Sequence, residues 1–343
     1  MRVTQQDIAK YAQVSQATVS RVLAGDDRVE SHIRARVLEV MREHNYQPDV
    51  RARSLRQRRT NLIGLVMKRE VGTLQGDPFF ALFVSEIIDT LAGTPFHLCV
   101  DIAANQADQE FVYDELLRTR RVDGLVLVES EPRDSRIARL QDDNFPFVLI
   151  GNTGGNDQLW AIDNDNVAAA EIATKHLLER GYRSPVFLAG PRELTVTRDR
   201  EEGYRKTMEA FGLRAQVAYT AFGMDPARER AEEILARDNS IDSILAMDDL
   251  MAMAVVQAAR KAHRRVPESL GLVGFNNSPV CELIEGGLTS VDLNIPKMVR
   301  WSVSQLLARI ESKEPLPAQR KTMSAELVIR GSSPGFEKVV VPR

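Results

Sequence analysis

The sequence predicts an α/β protein in which a small three-helix head precedes a bilobed domain of two doubly wound parallel sheets. Its 343 residues are too many for one domain of average size. The first sixty residues show short amphipathic helical patterns, and from residue 61 short apolar runs alternate with helical segments in two successive blocks. We expect the head at 1–47, a linker at 48–60, the bilobed domain at 61–333 and a tail at 334–343.

The overall composition is that of a soluble globular protein, with 43% hydrophobic and 27% charged residues. No run of eighteen apolar residues occurs, so we expect no membrane-spanning helix. The first residues lack the apolar core of a signal peptide, and we therefore expect a cytoplasmic protein. Cys99 and Cys281 fit neither a disulfide framework nor a zinc site, and we expect no metal and no cofactor.

The charge is divided unevenly along the chain. Residues 1–60 contain 12 Lys and Arg against 7 Asp and Glu, a balance of +5, whereas the other 283 residues have a balance of −8. A basic head on an acidic body is typical of a nucleic-acid-binding module joined to a domain that does not bind nucleic acid.

Cap and turn residues divide the head into three helices. Thr4 is suited to cap a first helix, residues 12–14 to form a tight turn, and Ser15 to cap a second helix. Gly25 ends the second helix, and Ser31 begins the third. Two short helices joined by a three-residue turn are typical of a helix-turn-helix motif.

The exposed face of the second helix has side chains suited to reading base pairs. Arg21 can donate two hydrogen bonds to guanine, Gln16 can pair with adenine in the same way, and Ala17 can contact a thymine methyl group. Short hydroxyl groups nearby are suited to phosphate oxygens. Periodicity alone fits the solvated face of a small helical bundle equally well. We predict double-stranded DNA as the partner, with head contacts from Thr4, Ser15, Gln16, Ala17, Thr18, Ser20 and Arg21.

A basic linker follows the head. Tyr46-Gln47-Pro48 ends the third helix, because a residue before proline disfavours the helical conformation. Five of the nine residues 51–59 are arginine. We expect such a segment to become ordered only against an anionic partner.

The head resembles the DNA-binding domain of the lactose/galactose repressor (LacI/GalR) family of transcription regulators. The resemblance lies in Thr4–Lys10, TQQDIAK, and Val14–Leu23, VSQATVSRVL. Gln13 stands where the family usually has glycine in the turn, and Ala24 stands where an asparagine is common. A left-handed conformation at Gln13 would cost some backbone strain.

The linker resembles the hinge helix of the same family at Arg51-Ala52-Arg53-Ser54-Leu55. The resemblance implies that this helix folds on DNA, that Arg51 and Arg53 contact the duplex, and that Leu55 inserts between base steps and kinks it. The alternative is that Leu55 is an ordinary linker residue. Two heads on a palindromic operator imply a homodimer, and the tail has no leucine heptads that could build a tetramer.

Strand and helix patterns alternate from residue 61, as in parallel sheets covered on both faces. The predicted strands are 62–67, 96–100, 124–128, 147–151, 185–188, 217–220, 244–246 and 270–275. The predicted helices are 79–91, 109–119, 167–180, 199–212, 226–237 and 249–262.

Polar and aromatic side chains follow these strands, where ligand sites lie in such sheets. Carboxylates, carboxamides, an arginine and aromatic rings together are suited to a polyhydroxylated ring, although any one of them could simply cap a helix. We predict effector contacts from Asp77, Phe79, Phe80, Asn152, Asp163, Arg200, Phe222, Asp248 and Asn276.

The bilobed part resembles the family's regulatory domain, which is similar to periplasmic sugar-binding proteins. The matching segments are Asp77–Phe80, Arg121–Leu125, Asp163–Val167, Arg200–Tyr204, Asp248–Ala252, Val273–Asn277 and Leu288–Asp292. The resemblance implies that Arg200 anchors the effector, that Asp248 contacts it, and that Phe80 and Phe222 supply stacking surfaces.

The same resemblance implies how the chain divides between the lobes and which effector it binds. Lobe 1 would contain about 61–161 and 291–322, and lobe 2 about 162–290 and 323–333. Asn276-Asn277 stands where many family members have two aspartates. This form resembles maltose-type regulators most, which implies a sugar effector such as a malto-oligosaccharide.

Three other functions compete with a sugar-controlled regulator. A sugar-binding transport protein would need a signal peptide and would have no use for the head. An enzyme is not expected, because the sequence contains no GxxxxGK[ST], no GxGxxG after a strand and no HxxxH. The sequence leaves open the third alternative, a regulator whose effector is a nucleobase or nucleoside stacked on Phe80.

Overall fold

The computed structural model describes residues 3–23, 25–46, 59–69, 76–155, 158–312 and 314–335. The chain forms two compact units, residues 1–60 and 61–343. The predicted hinge contacts Arg51, Arg53 and Leu55 lie outside the described residues, as does Ala24. Within the described ranges, none of the helices is both long and apolar enough to cross a membrane.

The head contains helices α1 (Gln5–Tyr11), α2 (Gln16–Leu23) and α3 (Ser31–Glu43). A capping box begins α1, because the Asp7 amide donates to Thr4 Oγ1 at 3.3 Å and the Thr4 amide donates to Asp7 Oδ2 at 2.9 Å. The three helices surround a small core of Ile8, Ala9, Ala12, Val19, Val22 and Val37.

Gln13 forms the turn between α1 and α2 in a left-handed conformation, with φ of 54°. The Val14 amide donates to the Ala9 carbonyl at 3.0 Å and closes the turn. A side chain other than glycine in this region costs roughly 1–2 kcal/mol.

The second unit contains two six-stranded sheets, and the predicted pair of doubly wound sheets is confirmed. The first sheet consists of β1 (Leu62–Lys68), β2 (His97–Ala103), β3 (Gly124–Leu127), β4 (Phe147–Ile150), β5 (Ala161–Asn164) and β11 (Arg320–Met323). Its strand order is β11-β5-β4-β3-β1-β2, and all neighbouring strands are parallel. The second has the order β12-β10-β9-β8-β6-β7, with strands β6 (Pro185–Ala189), β7 (Gln216–Tyr219), β8 (Ser243–Ala246), β9 (Gly271–Phe275), β10 (Thr289–Asp292) and β12 (Glu326–Val328). Strand β12 runs antiparallel to β10, and the other pairings in the described part of this sheet are parallel.

Helices cover the faces of both sheets. Those near the first sheet are α4 (Pro78–Leu91), α5 (Gln106–Thr119), α6 (Ser135–Asp142) and α11 (Ile295–Glu311). Those near the second are α7 (Asn166–Glu179), α8 (Thr195–Ala210), α9 (Met224–Arg237) and α10 (Asp249–Lys261). The sequence pattern missed α6 and α11, and α11 packs against α4 and against β3, β4 and β5.

The first crossing between the lobes comes later in the chain than predicted. The prediction began lobe 2 at about residue 162, whereas Ile162 pairs with Ile150 of β4, and Asn164 pairs with Met323 of β11. Lobe 1 therefore extends through Asn164. Residues 161–164 read Ala-Ile-Asp-Asn, and two apolar residues are too few to mark a strand by pattern.

Candidate functional site

Helix α2 presents the predicted base-reading residues to solvent. Gln16, Ala17 and Arg21 are exposed, whereas Val19 and Val22 on the other side are buried in the head core. The helix is therefore held by one face and leaves the other free to enter a DNA groove.

The predicted phosphate-contacting hydroxyls also shape the helix ends. Ser15 Oγ accepts a hydrogen bond from the Thr18 amide at 3.0 Å and lies 2.9 Å from Thr18 Oγ1. Thr4 belongs to the capping box of α1. Ser20 is half-buried on α2. Thr4, Ser15 and Thr18 therefore stabilise the ends of the helices, besides the DNA contacts predicted for them.

A cavity of about 130 Å³ lies between the two lobes of the second unit, and we call it the central cavity. Its size is well above the roughly 10–15 Å³ that one water molecule needs. Its walls come from segments that follow strands of both sheets, where ligand sites are expected. Eight of the nine predicted effector contacts line it: Asp77, Phe79, Asn152, Asp163, Arg200, Phe222, Asp248 and Asn276.

Phe80 is the one predicted effector contact that does not line the central cavity, and the stacking role implied for it stays a prediction. Asp77 caps α4 by accepting from the Phe79 and Phe80 amides at 2.9 Å and 3.2 Å, which fixes where the helix begins. With about 3.6 residues per turn, Phe79 and Phe83 share a face and Phe80 points elsewhere. Phe79 and Phe83 stack with ring centroids 5.5 Å apart and line the cavity together.

Arg200 on α8 is the buried cation of the site, with 5% of its surface exposed. Nε donates to Asn166 Oδ1 at 3.0 Å, Nη1 donates to the Met247 carbonyl at 2.6 Å, and the guanidinium lies 4.2 Å from the Phe275 ring centroid. Nη2 has no hydrogen-bond partner among the described residues. Burial lowers the pKa of Arg200 to about 10, so the side chain is still a cation at neutral pH.

A glycine allows α8 to bring Arg200 to this position. A Cβ atom at Gly203 would lie 2.1 Å from the Val167 carbonyl oxygen of α7, so only glycine permits the two helices to approach this closely. The approach places Arg200 beside Asn166, the first residue of α7.

Asn152 joins two carboxylates from different lobes. Its Nδ2 donates to Asp163 Oδ2 at 2.6 Å in lobe 1 and to Asp199 Oδ2 at 2.9 Å on α8. Burial raises the pKa of Asp163 to about 6, and burial also raises the pKa of Asp199. One amide thus holds the lobes together at the edge of the cavity.

Asp248 caps α10 and also lines the central cavity. Its Oδ1 accepts from the Met251 amide at 2.7 Å. Burial raises the pKa of Asp248 to about 7, and the nearby carboxylates of Asp77 and Asp249 add to the rise. Asp249 does not line the cavity; it is fully buried and accepts hydrogen bonds from Ser278 and Ser290.

Sequence reasoning missed four polar residues of the cavity wall and its surroundings: Arg69, Glu129, Ser130 and Asp199. Arg69 directly follows β1, and Glu129 comes two residues after β3, so the strand-end rule could have found both. Asp199 lies in helix α8, and no local pattern marks it.

Arg69 and Glu129 form a bidentate ion pair. Arg69 Nη1 donates to Glu129 Oε2 at 2.8 Å, and Nη2 donates to Glu129 Oε1. Burial alone would lower the pKa of Arg69, but the Glu129 carboxylate outweighs burial and raises it. The central cavity therefore combines a cation with a free donor, carboxylate acceptors and aromatic rings, which is what binding of a polar ring needs.

Two family models match the chain. The model for bacterial regulatory proteins of the lacI family matches residues 4–49, and the model for a periplasmic binding protein-like domain matches residues 174–333. The first match covers α1, α2 and α3, and the second covers most of lobe 2 with the return through lobe 1.

Characterised relatives match along nearly the whole chain. The ribose operon repressor of Halalkalibacterium halodurans is 30% identical over 334 residues, which are 97% of this chain and 98% of the relative. The transcriptional regulator CelR of Thermobifida fusca is 31% identical over 338 residues, which are 96% of this chain and 98% of the relative.

Solved structures agree. The structure of a CelR–cellobiose complex has a TM-score of 0.72 and 29% identity, over 96% of this chain and 100% of that one. The lac repressor dimer bound to operator and an anti-inducer has a TM-score of 0.81 at 22% identity, over 97% and 99% of the two chains, and shows the shared fold. The chain therefore belongs to the lacI family of bacterial regulatory proteins, and it is a DNA-binding transcriptional regulator rather than an enzyme.

Proposed function

We propose that this regulator binds a sugar in the central cavity and that the sugar controls its affinity for a palindromic DNA operator. The observation that carries the proposal is Arg200, a buried cation at the cavity wall whose Nη2 has no hydrogen-bond partner among the described residues. The Arg200 side chain is buried as a whole, but Nη2 is accessible from the cavity and can donate a hydrogen bond to a ligand oxygen.

The rest of the cavity supports a sugar. Asp163 and Asp248 supply acceptors for hydroxyl groups, and Phe79 and Phe222 supply apolar faces for a ring. One relative named above is called a ribose operon repressor, and another was solved with cellobiose. The malto-oligosaccharide implied by the resemblance to maltose-type regulators stays a prediction.

The two alternative functions are less well supported. A nucleobase effector was expected to stack on Phe80, which does not line the central cavity. A sugar-binding transport protein would have no use for the DNA-binding head matched at residues 4–49.

The proposed operator contact uses two copies of the chain. Gln16, Ala17 and Arg21 would read bases in the major groove of each half-site. Arg51, Arg53 and Leu55 lie outside the described residues, and we propose that they contact and kink the centre of the operator. A homodimer follows because one short helix reads too few bases to be specific.

The test is a ligand screen followed by a matched pair of variants. Thermal unfolding of the full chain is measured with monosaccharides, disaccharides and nucleosides, because a ligand that binds the folded state raises the unfolding temperature. The best ligand is then titrated by calorimetry into wild type, Arg200→Lys and Arg198→Lys. Arg198 lies on α8 as well but is exposed, so its variant is the control.

We expect a sugar to stabilise the wild type and Arg200→Lys to lose at least about tenfold in sugar affinity, since lysine lacks the forked donors of arginine. Arg198→Lys should bind like wild type. Stabilisation by nucleosides alone, or equal affinity in all three proteins, would contradict the proposal.

A further inference from the structure

A second cavity of about 320 Å³, which we call the outer cavity, adjoins the central cavity. Both lobes line it, with Lys68, Asn105 and Gln106 from lobe 1 and Pro191, Leu194 and Pro226 from lobe 2. Arg69, Glu129 and Phe222 line both cavities and therefore stand between them. We call these three side chains the partition.

The ion pair in the partition is held from several directions. Arg69 Nη1 donates to the Lys68 carbonyl at 2.8 Å as well as to Glu129, and Arg69 Nε lies 3.8 Å from Asp77 Oδ2. Only 9% of the Arg69 side chain and 15% of the Glu129 side chain are exposed. Moving Arg69 aside would leave a buried carboxylate without its partner, which is unfavourable.

The backbone at Glu129 is fixed by a second buried ion pair. Arg136 Nη2 donates to the Glu129 carbonyl at 3.1 Å, and the same guanidinium pairs with Asp134. Glu129 has φ of 55°, an uncommon backbone conformation that these contacts hold in place. The carboxylate side of the partition is therefore rigid.

Phe222 completes the partition from the opposite lobe. The Arg69 guanidinium lies 5.0 Å from the centroid of its ring, within the range of a cation–π contact. A Cβ at Gly190 would lie 3.0 Å from Phe222 Cε1, so glycine at this position leaves room for the ring. The partition is thus assembled from both lobes.

We propose that the partition confines the effector to the central cavity and so selects a one-ring sugar over a linear disaccharide of the same sugar. A second ring in this direction would enter the space held by Arg69 and Glu129 and would have to break their pairing. This inference rests on the proposed sugar effector and adds a limit on its length. It counts against the malto-oligosaccharide and in favour of a monosaccharide.

The experiment compares matched pairs of sugars by calorimetry: glucose with maltose and cellobiose, xylose with xylobiose, and mannose with mannobiose. The variant Arg69→Ala/Glu129→Ala removes both charges, so that neither is left buried alone. The control Lys68→Ala/Glu131→Ala removes an ion pair of 3.7 Å beside the outer cavity and leaves the partition intact. Phe222→Ala opens the partition from lobe 2; it removes the cation–π contact with Arg69 but leaves both charges of the Arg69–Glu129 pair in place.

We expect wild type and the control to bind at least one monosaccharide at least about tenfold more tightly than its disaccharide. In the Arg69/Glu129 variant and in Phe222→Ala, this ratio should fall at least about tenfold, whatever happens to the absolute affinities. Circular dichroism identifies any variant that does not fold.

The outcomes separate the two proposals. If wild type binds a disaccharide as tightly as its monosaccharide, or if the folded variants keep the wild-type ratio, the partition does not select length. If no sugar of any length binds to wild type or to the variants, the proposed sugar effector itself is wrong.

Discussion

The head and the bilobed domain place their functional side chains in opposite surroundings. On α2, Gln16 and Arg21 are exposed, and separate buried residues hold the helix in the head. In the central cavity, Arg200 is buried and Asp248 is half-buried, and burial shifts the pKa of both. A substitution in the head should therefore change function alone, whereas one in the cavity should change function and stability together.

Arg21→Ala tests the head side of this comparison and has the largest expected effect. Loss of a bidentate pair with guanine costs about 1–3 kcal/mol in each half-site, so a dimer on a palindrome loses it twice. The free energy of unfolding should change by less than about 0.5 kcal/mol, because the side chain is exposed. Fluorescence anisotropy measures binding to an operator selected from random duplexes and to a scrambled duplex.

Arg36→Ala is the control, since it removes an exposed arginine from α3 with the same change in charge. It should weaken binding to both duplexes alike, as expected for loss of a nonspecific positive charge. If Arg21→Ala keeps the wild-type discrimination between operator and scrambled duplex, Arg21 does not read bases.

Asp248→Asn tests the cavity side. Burial raises the pKa of Asp248 to about 7, well above its value of about 3.9 in an unfolded chain. The protonated form is thus favoured by folding, and this contribution to stability is complete below about pH 4 and is lost as the pH rises through about 7. We expect the free energy of unfolding of wild type to fall from about pH 5 to about pH 8.

Asparagine keeps the helix cap of α10 but cannot titrate, so the fall should be smaller in Asp248→Asn by at least about 1 kcal/mol. Part of the slope should remain, because burial also raises the pKa of Asp163 to about 6. Urea unfolding at the two pH values measures the difference. Asp165→Asn is the control, since Asp165 is an exposed helix cap that accepts a hydrogen bond from the Ala168 amide at 2.9 Å. If the free energy of unfolding falls equally with pH in all three proteins, Asp248 does not have this role.

The contrast between the two regions also explains which features the sequence could predict. The helices of the head follow from local caps such as Thr4 and from apolar spacing, and the strand ends of the bilobed domain follow from apolar runs. The choice between Phe79 and Phe80 depends on the rotational phase of α4, which Asp77 sets through its cap. Two adjacent phenylalanines give no pattern from which that phase could be predicted.

Contacts between distant segments are the part that no local pattern encodes. Asp199 reaches Asn152 across 47 positions of the chain, and Arg69 reaches Glu129 across 60. The strand β5 is likewise defined by its pairing with β4 and β11 rather than by its own short sequence. None of these contacts can be predicted without the packed lobes, because the two partners of each contact lie on different elements.

Gln13→Gly has the smallest expected effect, and it tests whether different residues of the head determine its stability and its recognition of DNA. Gln13 has φ of 54° and an exposed side chain, so glycine relieves the backbone strain and removes no buried contact. Glycine also increases the entropy of the unfolded chain, which offsets part of the gain, and we expect a net stabilisation of about 0.5–1 kcal/mol. Amide hydrogen exchange of α1 and α2 in the full chain should slow accordingly, while discrimination between operator and scrambled duplex stays at the wild-type level.

Gln16→Gly is the counterpart, because it places glycine within α2 and should speed exchange in the same helices. Faster exchange in Gln13→Gly, or a change in its discrimination, would show that the turn residue does more than join two helices.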